Sequence, residues 1–580
     1  MGGVRAAAPV GRPVPRDAPL PTARVAAPPL EGSMPVSRSP HVRTGSAVVL
    51  LSAVLTACAG SPTAEAPADG TLTFAVDVGP DCYDPHVSPA DITAALQRNV
   101  YDSLVAQRPD GTVEPWLARS WEVSEDGTRY TFHLREDVTF HDGTPFDAEA
   151  VKINLDRIAD PETGSQYAAQ LIEPYASSEV LDDHTVEVEL TEPHAPFLQA
   201  LSTTYLGFHS PASIEEYGTD LCNGGPRHVG TGPFTFTGFT EGQQAVLTRN
   251  DDYDWAPPTA RHTGPAHLEE LVIRFIPENS VRTGALTSGE VDVIDQVPAA
   301  DITTLETAGG ARIVRQDSPG AGYTYFFNTT RPPFDDRRAR LAVRAALDLD
   351  QITETLYSGQ YDRAWSPLTP ATFGYDEGLE GGWSHDPAEA GRLLDELGYT
   401  GRDGQGYRTR GGERFSIELL YDPTYQREDR ITYDTAVQDQ LRQAGIELRI
   451  TPLGDGSYVP TRDDGEYDII AFSWGRADPD MLRTLYHSGQ QLADGGANAS
   501  RLSDPRIDAW LETGLTESDP EARAAAYAQV QRRVVEEGYA LPAFVQPRVI
   551  AAAPAVQGLA FDPSAWPVFY DVRLGEGGSE

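Results

Sequence analysis

The sequence predicts an α/β protein of several domains, and three observations carry that expectation. The first half alternates polar and apolar residues at the period of a strand and breaks at Asp-Gly pairs. The second half places capped helical stretches between such strands. The chain has 580 residues, enough for about two to four domains, and after residue 57 it contains no apolar run approaching the ~20 residues of a membrane-spanning helix.

The elements follow in order. Ala47–Leu55 is an apolar run too short to span a bilayer, preceded by Arg38 and Arg43, and it reads as the core of an export signal occupying residues 1–57. Residues 1–33 are rich in Pro, Ala and Arg, unlike a signal, and Met34 opens a signal of ordinary length. Met34 is therefore the expected true start. Residues 58–70 read as a flexible tether. Thr71–Val76 and Thr185–Leu190 alternate like half-buried strands, and so does the run from Arg129 to Arg135 between the turns Asp126-Gly127 and Asp142-Gly143. Asp147 caps a helix reaching Ile158. Helices are expected at Arg337–Leu349, at Tyr433–Gly445 and at Glu521–Gly538. Asp386 as N-cap, Pro387 at the first helical position and Gly398 at the end define one more. Asp403 to Tyr407 resembles part of a calcium loop but lacks the later ligands, and it reads as a hairpin turn.

The formal net charge of −42 excludes a nucleic-acid binder, because phosphates would be repelled. It also argues against adhesion to anionic headgroups. There are three cysteines. Cys58 follows Leu55-Thr-Ala57, which resembles the lipobox of bacterial lipoproteins. That resemblance implies a diacylglyceryl anchor on Cys58, and two acyl chains are what stable attachment requires. Cys82 and Cys222 remain. In an exported protein they are expected to form one disulfide, two buried free thiols being the alternative.

A long block resembles a known family. It runs from Trp116-Leu-Ala-Arg-Ser-Trp121 through Arg129-Tyr-Thr-Phe-His-Leu-Arg135 to Phe140-His-Asp-Gly-Thr-Pro-Phe146. Gly230-Thr-Gly-Pro-Phe234, Leu286-Thr-Ser-Gly-Glu-Val-Asp292, Tyr325-Phe-Phe-Asn328, Pro333-Phe-Asp335 and Tyr467-Asp-Ile469 follow in order. Together they resemble the family 5 solute-binding proteins, extracytoplasmic receptors of oligopeptide, dipeptide and nickel ABC importers. Most of these residues read as turn formers and core. The resemblance implies an α/β, two-lobed, periplasmic-binding-protein-like clamp (type II) with an extra domain inserted in lobe one. Lobe one would comprise 70–112, 227–320 and 546–580, the inserted domain 113–226, and lobe two 321–545. Hinge strands would lie near 318–324 and 541–548.

The resemblance further implies a monomeric receptor that captures peptides between its lobes and hands them to membrane permease and ATPase subunits. It would have no enzymatic activity and no cofactor, and would work at the extracytoplasmic face, held there by its lipid. The family's amine-anchoring Asp falls in Trp474-Gly-Arg-Ala-Asp-Pro-Asp480, where Asp478 fits best although the spacing departs by one residue. Arg476 is the expected carboxylate partner and Trp474 a stacking surface. Tyr83 and His86 belong to a loop that faces the cleft in relatives, and Tyr323 and Tyr325 lie beside the expected hinge. The bland alternatives are that Arg476 and Asp478 pair with each other, that Asp478 caps a helix starting near Pro479, and that Trp474 is core.

Other functions remain open at this level. A nickel or metal-chelate receptor belongs to the same family; His86 and His487 are the candidate direct ligands, but no paired-histidine motif occurs, so no metal site is assigned. A hydrolase is disfavoured by the absence of Gly-x-Ser-x-Gly and His-Glu-x-x-His. A sensor or adhesin could use the same clamp without transport.

Overall fold

The computed structural model describes residues 70–575 apart from 308–309, 424–427 and 455. The export signal, Met34, Cys58 and nearly all of the tether lie outside the described residues. Among the described residues, no helix is long and apolar enough to cross a membrane.

Two sheets organise the chain. The first has seven strands in the order Arg312–Asp317, Pro547–Ala552, Val293–Ile294, Thr71–Val76, Glu270–Phe275, Gln244–Arg249 and Phe234–Thr240. Thr71–Val76 runs parallel to Glu270–Phe275, with Thr71 opposite Glu270. It is buried on both faces, as a strand inside a covered parallel arrangement must be. Leu72, Phe74 and Val76 enter one core, and Ala75 points to another with Leu286, Ile302 and Val549.

The second sheet has six strands in the order Asp362–Arg363, Ala540–Val545, Gly320–Phe327, Ile469–Gly475, Ser416–Tyr421 and Glu447–Pro452. Its two faces feed separate cores, one around Tyr433 and Phe544 and one around Tyr486 and Tyr527. The chain passes between the sheets twice through very short links, from Asp317 to Gly320 and from Val545 to Pro547. Gly320 has φ +101°, and a Cβ there would lie 2.3 Å from the carbonyl oxygen of Trp474. Only glycine allows both that backbone conformation and that approach.

A four-stranded antiparallel sheet, in the order Ala118–Val123, Arg129–Leu134, Thr185–Leu190 and Tyr175–Asp182, lies within the first half. Its inward residues Phe132, Val186 and Val188 share one continuous core with Tyr101 and Phe234 of the first lobe. The Cys82–Cys222 disulfide, with an S–S distance of 2.04 Å, ties the segment after the first strand to the end of this region.

Asp-Pro helix starts are realised as capped ends: Asp386 accepts from the amides of Ala388 and Glu389, and Asp519 from that of Ala522. The expected helix from Arg337 to Leu349 is instead two, Arg337–Ala345 and Leu349–Tyr357. Asp348 turns the chain and caps the second by accepting from the Gln351 amide at 3.0 Å. The helix expected from Tyr433 begins earlier, at Glu428. The Asp403 turn joins Gly401–Arg402 to Arg408–Arg410 in an antiparallel hairpin.

Candidate functional site: the interlobe cleft

The strand Ile469–Gly475, inside the second sheet, carries the chain to the end of that sheet which the first lobe faces. Two cavities meet there, of 660 and 950 Å³, and Pro89, Trp474, Gly475 and Arg476 line both. Cavities of this size suit solutes of drug or short-peptide dimensions.

Arg476 stands at the junction. Its backbone amide donates to the Pro319 carbonyl at 3.2 Å, fixing the loop against the first crossover. Its guanidinium donates to Asp91 Oδ1 at 3.0 Å and lies 4.0 Å from the Tyr167 ring centroid. Asp91 opens the helix Asp91–Gln97 of the first lobe and also accepts from the Tyr205 hydroxyl at 2.8 Å. Burial disfavours charge on Arg476, but Tyr167, Asp91 and Tyr205 outweigh it and hold the guanidinium above its usual range. The partner expected for a ligand carboxylate thus bridges the two lobes in this structure.

Asp478 lines the smaller cavity, yet its charge is committed. Arg523 grips it bidentately at 2.6 and 2.9 Å, and the Asp480 amide donates to it at 2.8 Å. Arg476 and Asp478 therefore do not pair with each other, and the carboxylate expected as an amine anchor is neutralised within lobe two. Asp480, next along, accepts from Arg483 and from the Tyr527 hydroxyl, both at 2.9 Å. Trp474 is a wall of both cavities, half-buried, with its ring 5.5 Å from the Arg476 guanidinium carbon.

The larger cavity, beside the crossovers, is the more polar. Arg430 reaches it over the Tyr323 ring and donates to Ser473 Oγ at 2.6 Å and Gln546 Oε1 at 3.1 Å. Arg548 pairs with the fully buried Asp295. Gln296 sits on the opposite wall with φ +52° and donates to Asp77 at 3.2 Å. A non-glycine residue held in that region is a local strain of the kind that collects at functional sites.

Four expected contacts are corrected. Tyr83 is buried against Phe236 and Phe239, and its carbonyl accepts from Gln97 at 2.6 Å, so it does not face the cleft. His86 is fully buried, bonded to the Gly207 carbonyl at 2.7 Å and to Arg157 at 2.8 Å. The loop after the first strand does reach the cleft, but through Pro89 and Asp91. Tyr323 and Tyr325 turn away from it into the core, where both hydroxyls donate to Asp434, at 3.2 and 2.7 Å.

Among the described residues, Asp84, His86 and His209 are the one group with metal-like convergence. The trio does not suit a cation. Arg157 sits on Asp84 and His86, His209 bonds Asp84 at 3.2 Å, and its other nitrogen meets the Tyr101 hydroxyl at 2.9 Å. Tyr101 in turn bonds His228 at 2.9 Å. Burial, with the Arg157 charge adding to it, pushes His86 well below its usual range, and burial likewise lowers His209. Burial pushes His228 down to about 3. These are neutral core histidines in a closed hydrogen-bonded network. His487, the other candidate ligand, lies outside both cavities, 3.7 Å from Glu512.

Residues 112–495 match the model of the bacterial extracellular solute-binding proteins, family 5 middle region. The heme-binding protein A of Haemophilus influenzae is 27% identical over 505 residues, spanning 83% of this chain and 88% of that protein. The structure of NikA from Brucella suis in complex with Fe(III)-EDTA superposes with a TM-score of 0.77 at 30% identity, covering 87% of this chain and all of that one. DppA from Helicobacter pylori, bound to the peptide STSA, gives a TM-score of 0.71 at 26% identity and covers 88% of this chain and 98% of its own. The two-lobed α/β architecture is common to them. The family match spans most of the chain, and the chain belongs to the bacterial extracellular solute-binding proteins of family 5.

Proposed function

We propose that the protein is the substrate receptor of an ABC importer and captures peptides in the interlobe cleft. Members of this family are extracytoplasmic, non-enzymatic receptors. The observation that carries the peptide reading is the pair of cavities meeting at Arg476, with 950 Å³ of polar space at the crossovers and 660 Å³ beside the inserted domain. A ligand with a polar backbone and at least one distinct side group fills such a bipartite space. The peptide complex of a relative, DppA from Helicobacter pylori, supports it.

The lobes would move about the links 317–320 and 545–547, which are too short to absorb anything but rotation. The proposed boundaries are those given above for lobe one, the inserted domain and lobe two, and the division of strands among the three larger sheets supports them. Residues 1–57 would be removed on export and Cys58 lipidated, so that a monomeric clamp stays beside its permease and ATPase partners.

A second reading, a receptor for a metal chelate, is favoured by the likeness to NikA with Fe(III)-EDTA. The metal would arrive already chelated, because the convergent trio at Asp84 lies in the core and away from the cleft. Calorimetry with pooled di- to pentapeptides and, separately, with Fe(III)-EDTA and nickel-histidine decides between them. Peptide binding with no heat from the chelates is expected; chelate binding alone would transfer the assignment to the second reading.

A further inference from the structure

The smaller cavity has a charge pattern unlike that of its neighbour. The two arginines on its wall are already matched, Arg476 with Asp91 and Arg483 with Asp480. Asp478 is matched by Arg523. Of the remaining carboxylates at the rim, both exposed, Glu173 lies 4.0 Å from Arg483 and Asp494 also stands on the lining. An anion entering this space would find both arginines already held by carboxylates.

Aromatic rings make up much of the remaining wall. Tyr167 packs edge-on to Tyr205 at 4.8 Å, and Tyr205 edge-on to Trp566 at 5.8 Å. Trp474 closes the side belonging to lobe two. Edge-to-face contact with rings of this kind favours another flat ring.

His194 is the polar exception. It comes from the inserted region, is only 5% exposed, and lines this cavity. Among the described residues its imidazole has no hydrogen-bond partner, in contrast to His86, His209 and His228. Its ring nitrogens are not among the buried unpartnered polar atoms, so they stay open to the cavity, where a ligand can reach them. Burial, followed by the charges of Arg483 and Arg523, lowers the imidazole to about 4. Asp478 and Asp480 are each held by an arginine, Arg523 and Arg483, so neither is free to receive a ligand ammonium at this depth.

We infer that the cavity takes an uncharged flat ring bearing a hydrogen-bonding group, the side chain of a tyrosine or tryptophan in a bound peptide, and that His194 is the specificity residue bonded to it. The inference rests on the peptide reading. A neutral imidazole can accept a phenol or indole proton or donate to a phenol oxygen, so it serves either side chain. Rim carboxylates would repel acidic peptides before they enter.

The test is calorimetry on the full-length mature protein with tripeptides of alanine carrying Tyr, Trp, Phe, Lys or Glu at each position in turn. Tyr and Trp peptides are expected to bind at least about tenfold more tightly than the Lys and Glu ones at the position that enters this cavity. His194→Ala should cut the preference for Tyr over Phe about tenfold, and His194→Gln, which keeps hydrogen-bonding capacity, should restore part of it. Each tenfold step corresponds to one hydrogen bond's share of affinity, about 1.4 kcal/mol. Lys or Glu peptides binding as tightly as Tyr peptides would overturn the inference while leaving the peptide reading intact. An unchanged Tyr-to-Phe ratio in both variants would remove His194 from it. No binding by any peptide would overturn the inference together with the peptide reading.

Discussion

Two ion pairs leave the same short loop in opposite directions. Arg476 reaches across the cleft to Asp91, whereas Asp478, two residues on, turns back to Arg523 in its own lobe. The first pair has one partner with its side chain 45% exposed; the second has side chains only 10% and 13% exposed. A bridge between bodies that must separate can be worth little, or the clamp could not open. A bridge inside one body has no such limit. The loop thus joins a contact that opening of the clamp would release to one that opening would leave fixed.

The largest effect should come from breaking the fixed pair. Asp478→Ala leaves Arg523 buried and uncompensated, and should lower the unfolding free energy by about 3–5 kcal/mol in denaturant titration. Asp478→Ala combined with Arg523→Met should recover most of that loss, because no charge is then stranded. An equal loss in both would mean that packing around Arg523, and not the pair, sets the cost.

Acidification probes the first lobe in the same way. Burial keeps His228 neutral, with its titration moved from the usual 6.5 to about 3. A lowered histidine contributes stability that is complete above about pH 6.5 and drains away as the pH falls toward that lowered value. The His228 ring signals in NMR should therefore stay unchanged from pH 8 down to about 5. Titration near 6.5 would show that the Asp84–His209–Tyr101–His228 network is open to water. Burial raises Asp102 to about 7, which works the other way: its protonation stabilises the fold as the pH drops through 7. The ring signals, and not overall stability, are for that reason the clean readout.

The smallest effect on stability is expected at the releasable pair. Arg476→Ala should change the unfolding free energy by no more than about 1 kcal/mol, the range of partly exposed ion pairs. Its effect should appear in shape: small-angle scattering of the ligand-free variant should give a larger radius of gyration than the wild type. A large destabilisation with no change in size would make Arg476 a structural residue of lobe two.

Much of the fold was legible in the sequence, because strand alternation, Asp-Gly turns and Asp-Pro helix starts are local signals. The break at Asp348 was missed because apolar residues at 345–347, 349 and 352 continue through it, and the signal against a single helix is Asp348 acting as the cap of the second one. The cleft was harder. Trp474, Arg476 and Asp478 come from one segment that lines the cavities, yet what Arg476 and Asp478 do depends on partners 385 and 45 residues away. Tyr83 and His86 failed although their loop was the right one: the network around Arg157 draws His86 inward, and the chain presents Pro89 and Asp91 instead. His194, Arg430, Gln296 and Arg548 belong to no motif. Their place comes from the meeting of separate lobes, which local pattern does not carry.

Hydrogen–deuterium exchange with and without a bound peptide pool tests the clamp most directly. Protection is expected on both walls together, at 89–97 and 296–300 of the first lobe and at 473–484 of the second, with the outer faces of both sheets unchanged. Protection confined to one lobe, or binding that protects neither wall, would contradict a receptor that closes on its ligand between the two sheets.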